Sequence, residues 1–428
     1  MASLNKAAWV ALHLMLVALA HAESTPADAL READAICRGD NGALWGVSLC
    51  GPVLLVDPTT RSVFANQADP EKLLKPEGGI FVGKLPEKIN IANTALDWAG
   101  THWTMMMLPL PEANDRRAVL MAHEMWHRIQ RDLGLPPIGA ANNHLDTRDG
   151  RFWLQLEWRA LTRALEATGA ARKEAARDAV VFRMRRRALF PDATRNERDL
   201  ELNEGLAEYT GVKMSRSLDP VRFVVGNELK EAPQQKSFVR SFAYATGPAY
   251  GLLLDDTGAD WRQPVRERRD LAELLVQRAN IQMPADTVAT ANERAAQYGG
   301  AALGAEEDRR EEVHRDLVKN LRAKLVEGPV LGIPLHKMNM QFDPGNLVSL
   351  DSLGTVYPNI RIVDDWGILT VTSGGALMSG DFSRVVVAAP KNTAQPAIKG
   401  EGWELRLNPG WSVGPAERKG DFTVRPDR

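Results

Sequence analysis

The chain has 428 residues, 44% of them hydrophobic and 25% charged, which fits an ordinary folded protein and excludes a collagen, a disordered tail or a polytopic membrane protein. Lys and Arg number 53 against 55 Asp and Glu, so no global field invites nucleic acid or an anionic membrane. This length predicts two or three domains with sizeable cores.

Residues 1–22 read as a secretory signal peptide. Lys6 precedes an apolar run too short for a bilayer, and Ala20-His21-Ala22 forms a small-residue cleavage site. The mature chain is therefore expected to be exported, periplasmic or extracellular, and not membrane-spanning. Its two cysteines, Cys37 and Cys50, are expected to form one disulfide in that oxidising setting. So short a loop would contribute about 2–3 kcal/mol.

Residues 23–111 carry mostly strand and turn signals. The runs 53–56 and 62–65, joined by Asp57-Pro58-Thr59-Thr60, predict a hairpin. Further β-like runs are 79–82, 89–91 and 103–108. Residues 112–327 change to a helical period, with helices expected at 115–132 (capped by Asp115), 151–167, onward to 190, 197–210, 237–254, 265–278 and 288–325. From 328 to 428 short β-like runs return, at 359–363, 367–371, 384–389 and 403–407. They predict a small all-β module, sandwich or barrel-like, that packs on or positions the catalytic part.

The chemistry concentrates in His123-Glu124-Met125-Trp126-His127. Histidines four apart on a helix project from one face and can ligate one zinc ion, each at about 2.0–2.1 Å. Glu124 lies about 100° round the helix, suited to holding the metal-bound water and accepting its proton. A second segment, Leu202-Asn203-Glu204-Gly205-Leu206-Ala207-Glu208-Tyr209, falls on the predicted helix 197–210.

HExxH followed by NExxA resembles the gluzincin-type zinc metallopeptidases, and LNEGLAEY is similar to the LNEGFA segment of their aminopeptidase branch. The resemblance covers roughly residues 102–255. It implies an α+β fold with a gluzincin-like zincin core and a mainly helical half, beside the C-terminal all-β module. It further implies one Zn2+ held by His123, His127 and Glu204, with Glu208 orienting a ligating histidine and a peptide or protein as substrate. Tyr244, in Tyr244-Ala245-Thr246-Gly247, matches the tyrosine that stabilises the oxyanion in that branch, with Tyr250 as the local competitor. Two departures stand out. The segment between His127 and Glu204 is longer than in the aminopeptidases, and no GxMEN-like segment precedes the HExxH helix. The resemblance thus implies zinc hydrolysis without aminopeptidase specificity. The run 103–108 is expected to pair with substrate backbone as an added strand.

Rival assignments accompany these. Glu157, on an apolar helical face with Trp153, Leu154 and Leu161, is an alternative third ligand or else the partner of an arginine. Arg183, Arg185, Arg186 and Arg187 read as a solvated face or as partners of acids such as Asp178, with anionic-substrate binding as the functional alternative. His144 reads as a surface-loop residue, with an auxiliary donor reaching the cleft as the alternative, and His314 and His336 read as structural; His102, before the run 103–108, is left open. At the level of function, the alternatives are a zinc hydrolase of a non-peptide amide or ester, and a catalytically silent peptidase-like binding protein.

Overall fold

The computed structural model describes residues 25–138, 142–215, 219–392 and 397–427; the expected signal peptide, residues 1–22, lies outside them. The architecture is mixed α and β. Its first element departs from the strand-and-turn expectation for residues 23–111, because helix α1 (Pro26–Asp40) opens the described chain. Thr25 and Asp28 form a reciprocal capping box and Pro26 presets the first turn. Ala29, Leu30, Ala33 and Cys37 then bury one face, and the Cys37–Cys50 disulfide ties the end of the helix to the approach to the first strand.

Strands β1 (Val53–Val56), β2 (Ser62–Ala65), β3 (Lys75–Glu77), β4 (Ile80–Lys84), β5 (Thr94–Trp98) and β6 (Thr101–Met107) form one sheet in the order β3-β4-β2-β1-β6-β5. The expected hairpin is present as β1 and β2. β1 is buried at all of its positions, as an unbroken Val-Leu-Leu-Val run requires, and pairs parallel with β6 on its other side. Residues 89–91 are not a strand. The strand comes slightly later, as β5, and turns into β6 through Ala99-Gly100, whose φ values of 52° and 74° give a tight two-residue hairpin. β6 is thus flanked on both sides, so the expected strand addition to 103–108 has no free edge there. The edge strand is β5.

The helical part comprises α2 (Asn114–Ile129), α3 (Arg148–Glu166), α4 (Gly169–Arg187), α5 (Ala193–Leu200), α6 (Leu206–Met214), α7 (Pro220–Phe223), α8 (Phe242–Asp255), α9 (Arg262–Arg266), α10 (Leu271–Arg278), α11 (Thr287–Ala295) and α12 (Gly300–Arg322). Asp115 does not cap α2. Ala113 holds the cap position, and Asp115 lies in the first turn, where its charge favours the positive end of the helix. The single helix expected over 288–325 is broken by Gly299, whose φ of 71° ends one helix and starts the next. The helix expected over 197–210 is interrupted by a π-helical turn, Glu201–Gly205, between α5 and α6.

A shared core fixes α2 against α6. An added Cβ on Gly211 would lie 2.5 Å from the Val119 carbonyl oxygen, so these helices touch backbone to backbone. Behind them Trp45 is fully buried, with its ring 6.1 Å from Trp126 and 6.2 Å from Tyr209, and its indole N–H donates to Thr210.

The C-terminal region holds β7 (Val330–Pro334), β8 (Asn339–Phe342), β9 (Val348–Ser349), β10 (Thr355–Tyr357), β11 (Ile360–Asp364), β12 (Gly367–Val371), β13 (Ala376–Met378), β14 (Arg384–Ala388), β15 (Ile398–Gly400), β16 (Trp403–Leu407), β17 (Trp411–Pro415) and β18 (Phe422–Pro426). They form two sheets, ordered β17-β18-β7-β14-β13-β10-β9 and β15-β16-β12-β11-β8. Alternating inward residues such as Ile360 and Ile362 on β11, and Val385 and Val387 on β14, give both sheets one apolar core. β8 is left as the edge of the five-stranded sheet. No helix among the described residues is long and apolar enough to cross a membrane.

Candidate metal centre

α2 buries Val119, Met121, Ala122, Met125, Trp126 and Ile129, which leaves His123 and His127 stacked one turn apart beside α6. Their Nε2 atoms stand 3.1 Å apart. The π-helical turn Glu201–Gly205 brings in the third group. Such turns recur at functional sites because the extra residue re-aims side chains. Here Glu201 and Glu204 face different partners. Gly205 meets Gly247 of α8 so closely that a Cβ on Gly247 would lie 2.2 Å from the Gly205 Cα, and this contact lets Tyr244 reach Glu204.

Glu204 Oε2 lies 3.6 Å from His123 Nε2 and 3.5 Å from His127 Nε2. Three ligands of a tetrahedral ion bound at about 2.0–2.1 Å would stand about 3.3–3.4 Å from one another. The three observed separations, 3.1, 3.5 and 3.6 Å, bracket that value, so this buried His-His-Glu group can hold a metal ion.

The surrounding hydrogen bonds aim these atoms. His123 Nδ1 donates to Glu208 Oε2 at 2.8 Å, and His127 Nδ1 donates to Gln130 Oε1 at 3.1 Å. Each Nε2 is then free to present its lone pair to the point it shares with Glu204 Oε2. Gln130 passes the chain on to Asn203 at 3.0 Å, and Asn203 donates to Glu204 Oε1 at 3.2 Å. Arg240 donates to the same Oε1 at 2.8 Å, while Tyr244 donates its hydroxyl to Oε2 at 2.7 Å and stacks its ring on His123.

The electrostatics favour a bound positive charge. Burial pushes the His123 imidazole down, but Glu204 and Glu208 outweigh it and hold it well above its usual value. Burial pushes Glu204 up, and His123, His127 and Arg240 pull it well below the usual carboxylate range. Such a cluster takes a proton or a cation. Burial raises Glu124, against the pull of His123 and His127, and its Oε2 is buried without a hydrogen-bond partner. An orphaned carboxylate oxygen of this kind marks a place where another polar group belongs. Burial and the neighbouring Glu204 both push the Tyr244 hydroxyl well up, so it stays a proton donor at neutral pH.

The remaining candidates lie elsewhere. Glu157 is fully buried and accepts from Arg183 at 2.7 Å, Arg186 at 2.6 Å and Tyr250 at 2.8 Å, which saturates it. Tyr250 is thereby committed to Glu157. The arginine run is not a solvated face. Arg183 and Arg186 are among the most buried side chains, held by Glu157, Glu197 and Glu201, and Arg187 pairs with Glu197 and Asp270. Asp178 pairs instead with Arg294 and Tyr298. His144 joins this network through Glu197 at 2.8 Å rather than facing solvent or the metal site. His314 lies near Asp146 and His336 near Asp365. His102 lines the cleft, paired with Asp97 at 2.6 Å. Gln130 and Arg240 were not singled out from sequence, and Asn203 entered only as part of the NExxA motif, without a role. Gln130 carried a signal of its own, since it stands three residues after His127.

The cluster sits at the floor of a cleft made of two adjoining cavities of about 950 and 520 Å³, both lined by His123, Glu124, Tyr244 and Phe342. β5 and β8, the edge strands of two different sheets, both line the smaller cavity. No family model matches this chain, and no curated protein or solved structure matches it. Function is therefore argued from the site.

Proposed function

We propose that the chain is an exported, zinc-dependent peptidase of the gluzincin type. The observation that carries this reading is the convergence of His123 Nε2, His127 Nε2 and Glu204 Oε2 beside the unpartnered Glu124 Oε2. An N, N, O ligand set on one side of an open cleft is the donor chemistry of a catalytic zinc site. When bound there, zinc would supply a Lewis acid and lower the pKa of a coordinated water.

The chain's own residues account for the rest. Glu124, buried and without a partner at Oε2, holds and accepts a proton from water and returns it to the leaving amine. Tyr244 offers its hydroxyl to the negative charge that develops on the substrate carbonyl oxygen. Glu208 and Gln130 fix the two imidazoles. The free edge of β5, not β6, is the place where an extended substrate backbone pairs as an added strand. The Cys37–Cys50 disulfide fits an oxidising compartment outside the cytoplasm.

The test is a digest of a mixed peptide library by the zinc-loaded chain, with new termini read by mass spectrometry. The expected result is cleavage that disappears with chelator and in Glu124→Gln, although that variant keeps its zinc. Turnover confined to an amide or ester panel would replace the peptidase by a non-peptide hydrolase. Silence on all substrates would leave a binding protein.

A further inference from the structure

The larger cavity beside the metal centre is not built by the helical part alone. Gln341 and Phe342 of β8, Arg361 of β11 and Thr370 of β12 form one of its walls, facing Leu120 of α2 and Phe223 of α7 across about 950 Å³. Leu120 stands three residues before His123 and is only partly buried, although its neighbours on α2 are packed away. Phe342 is likewise partly buried, its ring 4.9 Å from Tyr357 and 5.8 Å from the Arg240 guanidinium. Two large apolar side chains are thus left open to a recess that shares His123 and Glu124 with the reacting centre.

The wall is held in place. Asn90, in the loop before β5, donates to the Asn339 carbonyl of β8 at 2.8 Å. Arg361 donates to Asn90 Oδ1 and, at 2.6 Å, to the Glu87 carbonyl, and Arg406 pairs with the Glu87 side chain at 3.1 Å. These contacts tie the C-terminal sheet to the first sheet, so the width of the recess is set by bonds between the two regions rather than by either alone.

Resting on the peptidase reading, we propose that the C-terminal sheet sets the side-chain selectivity of the site. With the substrate extended along the free edge of β5, a bulky apolar side chain flanking the cut bond enters the recess lined by Leu120 and Phe342. Filling it removes apolar surface from water at Leu120 and Phe342, and the two arginines that also line the recess are held by other partners, Arg361 by Asn90 and Glu87 and Arg116 by Asn227 and Glu231. Hydrophobic pockets of this kind discriminate by about 10–200-fold for small changes in apolar size.

The experiment uses the full zinc-loaded chain. A mixed peptide library is digested by the wild type, Phe342→Ser and Leu120→Ser, and the residues flanking each cut are counted. In parallel, retention of the same peptides by zinc-loaded Glu124→Gln is measured with and without Phe342→Ser. The expected result is Leu, Ile, Met or Phe enriched about tenfold or more at one flanking position, with the enrichment reduced severalfold in both serine variants while zinc content is unchanged. Cleavage without such enrichment, or enrichment indifferent to both variants, overturns the inference and leaves the peptidase reading standing. If nothing is cut, the peptidase reading fails and retention decides the recess. Apolar-rich peptides held by Glu124→Gln and released by the added Phe342→Ser support it; no selective retention overturns it.

Discussion

Two buried clusters of charge meet at the π-helical turn Glu201–Gly205, and they differ in how their polar atoms are used. On one side Arg183, Arg186 and Arg187 face Glu157, Glu197 and Glu201, and each of these carboxylates accepts from at least one guanidinium. On the other side two imidazole nitrogens and a carboxylate oxygen point at one spot, and Glu124 keeps an oxygen without a partner. The same residue types thus do two jobs. A cluster whose carboxylates and guanidinium groups pair with one another fastens α3, α4 and α5 together, whereas one whose ligand atoms converge on a single point is arranged around something else.

The largest effect expected from breaking this contrast is on the saturated side. Glu197→Gln leaves Arg186 and Arg187 short of their buried charge partner, and should cost about 3–5 kcal/mol in urea unfolding while the folded fraction keeps its metal stoichiometry. A cost near zero would mean that the network does not fasten the helices. On the converging side, Tyr244→Phe keeps the ring stacked on His123 but removes the hydroxyl. It should lower kcat about 10²–10³-fold with zinc retained. Unchanged kcat would assign Tyr244 to Glu204 alone.

A smaller change is expected from Glu208→Gln, which weakens the acceptor behind His123 and should reduce zinc affinity about 10–100-fold in a competition titration. The smallest is a pH effect. Burial pushes Glu197 up, but Arg186 and Arg187 pull it well below the usual carboxylate range. Its folded value is therefore depressed, and its stabilisation is present above the unfolded-state value of about 4.3 and lost as pH falls through the folded value. The stability difference between wild type and Glu197→Gln should be flat at neutral pH and shrink only in acid. A difference that shrinks as pH rises would reverse the assignment.

The sequence made some of this readable and hid the rest for physical reasons. Histidines four apart on a helix meet through local geometry alone, so His123 and His127 need no tertiary information. Glu204, Glu208 and Tyr244 became visible only through motif resemblance, because they come from α8 and from the segment around the π-helical turn, remote in sequence. The glycines of those motifs have a structural cause: Gly205 and Gly247 let the two segments touch. The burial of Arg183 and Arg186 was hidden, since their acids Glu157, Glu197 and Glu201 lie on other elements and a charge run looks solvated without them. Helix α1 did carry its signal, Thr25-Pro26 followed by Asp28, but half of its short buried stripe is alanine. The wall formed by β8 is a contact between segments far apart in the chain, which no local pattern encodes.

The central claim is that His123, His127 and Glu204 hold one zinc ion. Its most direct test is the metal content of the purified mature chain, measured for the wild type and for Glu204→Ala. About one zinc per chain in the wild type, lost in Glu204→Ala, is the predicted result. A wild type that binds no zinc, or a variant that binds as much as the wild type, would contradict it.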